Sequence, residues 1–217
     1  MTNMHKTIVI AGALDTKGAE FAFLKGLIEQ AGARTTLIDF GIYAPQIGSE
    51  ITHELIASAG GGDLAHLATG QHKDEAMQVM AQGLTAVVRK LYDDGQLDGI
   101  ISMGGSGGTS IACSAMRALP VGVPKVMVST LAGGDVSAFA GSKDIMFIPS
   151  IVDVAGIYSI SRTIFANAAG AIVGAVQMVR PVAQGEKPLI CASMFGNTTQ
   201  CVDRASVICR THHERTH

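Results

Sequence analysis

Two hydrophobic rhythms alternate along the chain. Short runs dominated by apolar residues occur at Thr7–Ala11 (TIVIA), Thr35–Phe40 (TTLIDF), Gly99–Met103 (GIISM), Lys125–Thr130 (KVMVST) and Ile145–Ile148 (IMFI). Runs of this length and continuity predict strands covered on both faces. Between them, apolar residues recur at spacings of three and four. Phe21, Leu24, Ile28 and Ala31 mark a helix that Gly32 ends. Met77, Met80, Leu84, Val87, Val88 and Leu91 mark another over Lys73–Leu91, closed at Asp93–Gly95. A short helix is predicted near Ile51–Ser58, a further one over Thr109–Leu119, and a long one beginning near Ile151 or Val152.

Strands alternating with helices predict an α/β fold: a Rossmann-like, doubly wound parallel sheet of about five strands. Such sheets bind ligands beyond the carboxyl ends of their strands, where the strand order reverses. The unusual loops of this chain all fall at those ends. ALDTKG follows the first strand, DFG the second, GGSGGTS the third and STLAGGD the fourth.

Composition narrows the function classes. Of 217 residues, 47% are hydrophobic and 16% charged, enough apolar material for a substantial core. A formal charge of -2, with 5% aromatic residues and no Trp, offers neither a basic surface nor a stacking platform. Nucleic acid and membrane are therefore not expected as partners. Cys113, Cys191, Cys201 and Cys209 form no C-x-x-C pair, which favours reduced thiols in a cytoplasmic protein. MTNMHKTIVIAG lacks the long apolar stretch of a signal peptide. The apolar region Ile157–Val179 is broken by Ser159, Ser161, Arg162, Asn167 and Gln177, so it reads as a buried helix.

The glycine-rich segment Gly104–Ser110 sits just before a helix, whose first N–H groups have no internal partner. Bare backbone there suits an anion, with Gly104, Gly105, Ser106, Gly107, Gly108 and Thr109 as a phosphate cradle. Neither a Walker A ending nor a G-x-G-x-x-G after the first strand is present. Gly104–Gly108 also satisfies G-x-S-x-G, the setting of a hydrolase nucleophile at Ser106. That chemistry needs a later histidine, and only His212, His213 and His217 follow. Lys17, in LDTK at the start of the first helix, is a cation where the helix dipole disfavours one, and a bound anion would reverse that penalty. Asp39, ending the second strand, stands where dinucleotide-binding sheets place a carboxylate on ribose, although a turn role is equally open. Asp135 is a candidate to face magnesium on the phosphates.

Four segments, GALDTKGAEFAFLK, IISMGGSGGTS, STLAGGDVSAFAGSKDI and SIVDVAGIYSISRTIFANAAGAI, together resemble the Tm-one-like ATP-binding domain family. The resemblance runs in order from about Lys6 to Val179. It implies an ATP-binding, Rossmann-like first domain over 1–180, with nucleotide contacts at Asp15, Thr16 and Lys17, the segment Gly104–Thr109, and Ser129 and Thr130. The cofactor it implies is ATP, with magnesium as a possible companion. Tyr158 departs from the Asn of many relatives.

Relatives continue into a second α/β domain, so 181–188 reads as a linker and 189–217 as the truncated start of that domain. LICASMFGNTTQCVDRA predicts its first strand and helix start, whereas the tail Ser206–His217 reads as leaving the helical pattern. Cys209, His212, His213 and His217 lack the spacing of a zinc-finger pair. The functional expectation is ATP binding, with turnover and catalytic residues left open. A protein-interaction module stabilised by ATP is the alternative, and a serine hydrolase using Ser106 the third reading. Ala166, Gly170 and Gly174, a small-residue stripe, pack either on the protein's own core or on a second copy in a homodimer.

Overall fold

The computed structural model describes residues 6–178 and 190–214. The chain divides into two units, Met1–Met178 and Val179–His217.

In the first unit, β1 (Thr7–Gly12) leads into α1 (Leu14–Gln30) and β2 (Arg34–Asp39). Three helices follow, α2 (His53–Ala59), α3 (Leu64–Leu67) and α4 (Lys73–Asp93), before β3 (Gly99–Gly104). Then come α5 (Ser106–Ala118), β4 (Lys125–Ser129), α6 (Ser137–Ala140), β5 (Met146–Pro149) and α7 (Ser159–Gln177). The five strands form one sheet in the order β2-β1-β3-β4-β5. Every pairing is parallel, with Ile10 opposite Leu37 on one side and Ile101 on the other. The fold is therefore the expected α/β doubly wound sheet.

Two-residue periodicity sends alternate strand side chains to opposite faces. Val9, Ala11, Ile100 and Met127 join residues of α4 and α5 in one core layer. Ile8, Ile10, Ile101, Val126 and Val128 join α1 and α7 in the other. Helices on both faces explain why the strand sequences read as continuous apolar runs. α7 is, among the described residues, the helix long and apolar enough to cross a membrane by length and composition. Its Phe165, Ala168, Ile172 and Val176 pack into the second core layer. Ala166, Gly170 and Gly174 lie on its exposed face, away from that core.

Two helix starts differ from the sequence expectation. α5 begins at Ser106, three residues earlier than expected, so Gly107 and Gly108 belong to its first turn. The bond from Thr109 N to Gly105 O (2.9 Å) closes that turn. α7 begins only at Ser159. Residues 150–158 form a loop instead, because tertiary bonds hold their backbone out of helix. Ser150 N donates to Ser129 O (3.1 Å), Lys17 Nζ to Val154 O (2.6 Å), and Gly156 N to Glu20. Gly156 takes φ 89° and Ile151 φ 63°, neither compatible with a right-handed helix.

The second unit is described at residues 190–214. Residues 190–195 form no strand, contrary to expectation, since a strand requires a neighbour for its N–H and C=O groups and none is described there. The helix start is present as α8 (Thr199–Glu214). α8 runs on through Ser206, so the tail keeps helical form as far as Glu214. Ile190, Met194, Phe195, Val207 and Ile208 are exposed. The expected linker at 181–188 lies outside the described residues, as do the side chains of His212, His213 and His217.

Candidate functional site

The strand order reverses between β1 and β3, since β1 is flanked by β2 and β3. A cavity of about 340 Å³ lies at their carboxyl ends. Ala13, Asp15 and Thr16 of the β1–α1 junction line it, as do Phe40–Tyr43 after β2 and Gly107 and Gly108 of α5. Lys73, Ala76, Met77 and Met80 of α4 complete much of the wall. A larger, more open groove of about 540 Å³ runs between α4 and α5, but no charged side chain lines it. The chemistry of the smaller cavity is therefore the more specific.

Three helices begin at this cavity. Thr16 is in the first turn of α1, Lys73 opens α4, and Gly107 and Gly108 are in the first turn of α5. First-turn N–H groups lack intrahelical acceptors and carry the positive end of the helix dipole. The Lys73 side chain adds a full positive charge to the same wall.

The glycines of α5 are not demanded by backbone conformation, since neither Gly104, Gly105, Gly107 nor Gly108 has positive φ. A Cβ built at Gly107 meets only Met77 Cε, at 4.0 Å, and one at Gly108 meets Met103 O at 3.8 Å. The protein itself has room for side chains at both positions. What the two glycines keep open is the cavity.

Other predicted residues have structural placements. Thr109 and Ser129 are fully buried and joined Oγ1 to Oγ at 2.7 Å, while Leu131 N donates to Ser129 Oγ (3.0 Å). They fasten the start of α5 to the end of β4. Thr130 is exposed, and its N–H donates to Gly104 O at 3.2 Å. Ser106 is exposed at the first position of α5, and no histidine among the described residues is hydrogen-bonded to it. Lys17 departs from helical dihedrals (φ −133°, ψ 28°) and commits its ammonium to Val154 O, away from the cavity lining. Asp135 is exposed and accepts from Ser137 N (2.8 Å) at the start of α6. That backbone bond, with the Ser137 hydroxyl, holds its carboxyl below the usual range.

Asp39 is fully buried, with Oδ1 accepting from Leu14 N (3.0 Å) and Gly41 N (2.8 Å). It ties the start of α1 to the turn after β2, and burial pushes its carboxyl up despite those two donors. His53 Nδ1 lies 3.8 Å from its other oxygen. Asp15 Oδ2 accepts from Ile42 N and Tyr43 N (both 3.2 Å), shaping the same turn from the cavity side. Asp15 Oδ1 is buried and has no hydrogen-bond partner among the described residues.

Lys73, Tyr43 and the apolar lining Phe40, Met77 and Met80 escaped the sequence reading. A usable signal existed for Lys73. It is a cation at a helix start, the same anomaly that singled out Lys17, and it stands within the charged run HKDE, His72–Glu75, a composition equally suited to a solvated first turn.

The model of the UPF0261 N-terminal domain, described as an uncharacterised protein family, matches residues 6–181. The chain belongs to this family. A UPF0261 protein of Clostridium tetani is 48% identical over 203 residues, covering 93% of this chain and 50% of that protein. A UPF0261 protein of Rhizobium meliloti is 41% identical over 198 residues, covering 91% and 48% respectively. This UPF0261 chain thus spans about half the length of the curated relatives it matches. The ToMV resistance protein Tm-1(GCR237) of Solanum lycopersicum is 37% identical over 134 residues, 59% of this chain and 18% of that protein. Among solved structures, a candidate hydrolase of the α/β superfamily from Xanthomonas campestris aligns with TM-score 0.40 at 16% identity, covering 80% of this chain and 99% of that one.

Proposed function

We propose that the cavity at the β1–β3 switch point binds ATP. The observation that carries this reading is one cavity lined by the N-terminal turns of α1, α4 and α5, with Lys73 and bare backbone at Gly107 and Gly108. Phosphate oxygens suit the first-turn N–H donors of α4 and α5 and the Lys73 ammonium, whereas Leu14 N of α1 is already bonded to Asp39. The apolar part of the lining, Phe40, Tyr43, Met77 and Met80, suits a base. Adenine and ribose would take the space that its side chains leave, within the size range of small-molecule sites.

Among the described residues Asp15 is the one carboxylate in the lining, and its buried Oδ1, which has no partner there, is the feature that fits a cation. One carboxylate with the ligand's phosphates is an ordinary magnesium environment. Asp15 would therefore hold the ion. Ser106, with no histidine partner among the described residues, supports binding over acyl-transfer chemistry. An ATP-stabilised interaction module remains compatible with this site, because its chemistry is that of holding a ligand.

Calorimetric titration of the chain with ATP, adenosine and triphosphate tests the proposal. Gly107→Val is expected to abolish ATP binding with an unchanged melting curve, because its Cβ meets only a flexible Met77 terminus. Lys73→Ala should weaken ATP about ten- to a hundredfold and leave adenosine nearly unaffected. Lys17→Ala, whose ammonium is held by Val154 O, should keep its ATP affinity. Wild-type ATP affinity in both Gly107→Val and Lys73→Ala would move any nucleotide site elsewhere.

A further inference from the structure

We propose that His66, His72 and Glu75 form a binding site for a zinc-like divalent metal ion at the rim of the cavity. One ligand atom from each of the three lies within 4.8 Å of the others. His66 Nε2 is 3.3 Å from Glu75 Oε2, and His72 Nδ1 is 3.7 Å from the same oxygen. Ligands at 2.0–2.2 Å in tetrahedral array stand about 3.3–3.5 Å apart. The two nitrogen–oxygen separations therefore already approach the edges of a metal tetrahedron.

Local structure brings the three together. Asp63 caps α3 by accepting from Ala65 N (3.1 Å), and Thr69 Oγ1 donates to His66 O (2.8 Å). Gly70, at φ 77°, then reverses the chain, a conformation that glycine adopts without steric cost. His72 becomes the N-cap of α4, and Glu75 falls in its first turn. The two imidazole rings stack with centroids 4.2 Å apart. His66 and Glu75 are exposed and His72 is half-buried, so the site is open to solvent.

The donor set selects the ion. Two imidazoles and one carboxylate suit zinc and neighbouring first-row metals, whereas magnesium and calcium prefer oxygen alone. Three protein ligands leave a fourth position for water or a ligand atom. Leu67, Gly70 and Lys73, interleaved with the trio, and Ala76, which follows it, line the cavity, so the cluster adjoins its rim. Plain ion pairing between solvent-accessible histidines and a glutamate contributes little and requires no shared oxygen. The metal site stands whether or not the cavity takes ATP.

The experiment is a titration of the full chain with cobalt(II) as a spectroscopic probe, followed by displacement with zinc, without nucleotide. Exposed Cys191, Cys201 and Cys209 are competing ligands, so all samples carry Cys→Ser there and His→Ala at 212, 213 and 217. One equivalent of cobalt with the visible bands of a four-coordinate nitrogen–oxygen site is expected. His66→Ala and His72→Ala should each lower zinc affinity about a hundredfold or more, given that outer-shell partners alone are worth ten- to a hundredfold. Glu75→Gln, close in size and shape, gives the same test should an alanine variant fold poorly. No uptake, or a cobalt spectrum indifferent to all three substitutions, overturns the site.

Discussion

Asp39 is a carboxylate at full burial whose two backbone donors come from the start of α1 and the turn after β2. Desolvation is the leading influence on it and raises its pKa, so the folded protein holds its proton to higher pH than the unfolded chain does. In the window above about pH 4 the native state binds more protons, and stability falls as pH rises through it. Asp39→Asn retains an acceptor for Leu14 N and Gly41 N without the charge. Its stability relative to wild type should therefore increase as pH is raised from about 3 to 7, measured by urea melts. Asp39→Ala should lose about 1–3 kcal/mol for each orphaned N–H. A wild type that gains on Asp39→Asn with rising pH would contradict the desolvation account. The sequence placed Asp39 at the end of a strand beside the candidate site, but not the direction of its oxygens. That direction depends on the neighbouring Gly41 and also on Leu14, a contact between segments far apart in sequence. The same limit separates Lys17 from Lys73: both open helices, and only the fold turns one toward Val154 and the other toward the cavity.

At the scale of elements, α5 shows how sheet packing sets chemistry. It lies in the core layer with α4, and burial pushes the Cys113 thiol up to about 11. The nucleophilic thiolate is thereby scarce at neutral pH, and the sulfur is fully enclosed. Alkylation of the native protein should modify Cys191, Cys201 and Cys209 rapidly and Cys113 only on unfolding, resolved by peptide mass mapping. Equal rates at all four would show that α5 is not packed as described. Spacing of apolar residues located α5 and α7 correctly but missed their starts. α5 gains its first turn from glycines that intrinsic propensity disfavours, fastened through Thr109 to Ser129. α7 loses its expected first residues to a loop held by Lys17 and Glu20 of α1. Both shifts come from long-range hydrogen bonds, which no local pattern records.

For the molecule as a whole, protection should follow burial within each unit. Ile8, Val9 and Ile10 of β1 are fully buried between β2 and β3. α8 exposes Val207 and Ile208, and a 16-residue helix with no buried residue among the described ones is marginal in water. Hydrogen exchange should be slowest in β1 and β3 and orders of magnitude faster in α8. Comparable protection in α8 would mean that its apolar face is covered.

Hydrophobic rhythm alone determined the class of fold, the order of its five strands along the chain, and the edge at which loops of unusual chemistry collect. It could do so because strand and helix periods are local properties, and a parallel sheet covered on both faces needs continuous apolar strands. The membership of the site was decided only by tertiary structure. α4 is separated from α5 by β3 in the chain, yet Lys73 and Gly107 face one cavity because the crossover lays both helices on the same side of the sheet. His66, His72 and Glu75 likewise meet only because Gly70 reverses the chain between α3 and α4. Each side chain's direction follows from packing against residues distant in sequence, and that is the information a one-dimensional pattern lacks.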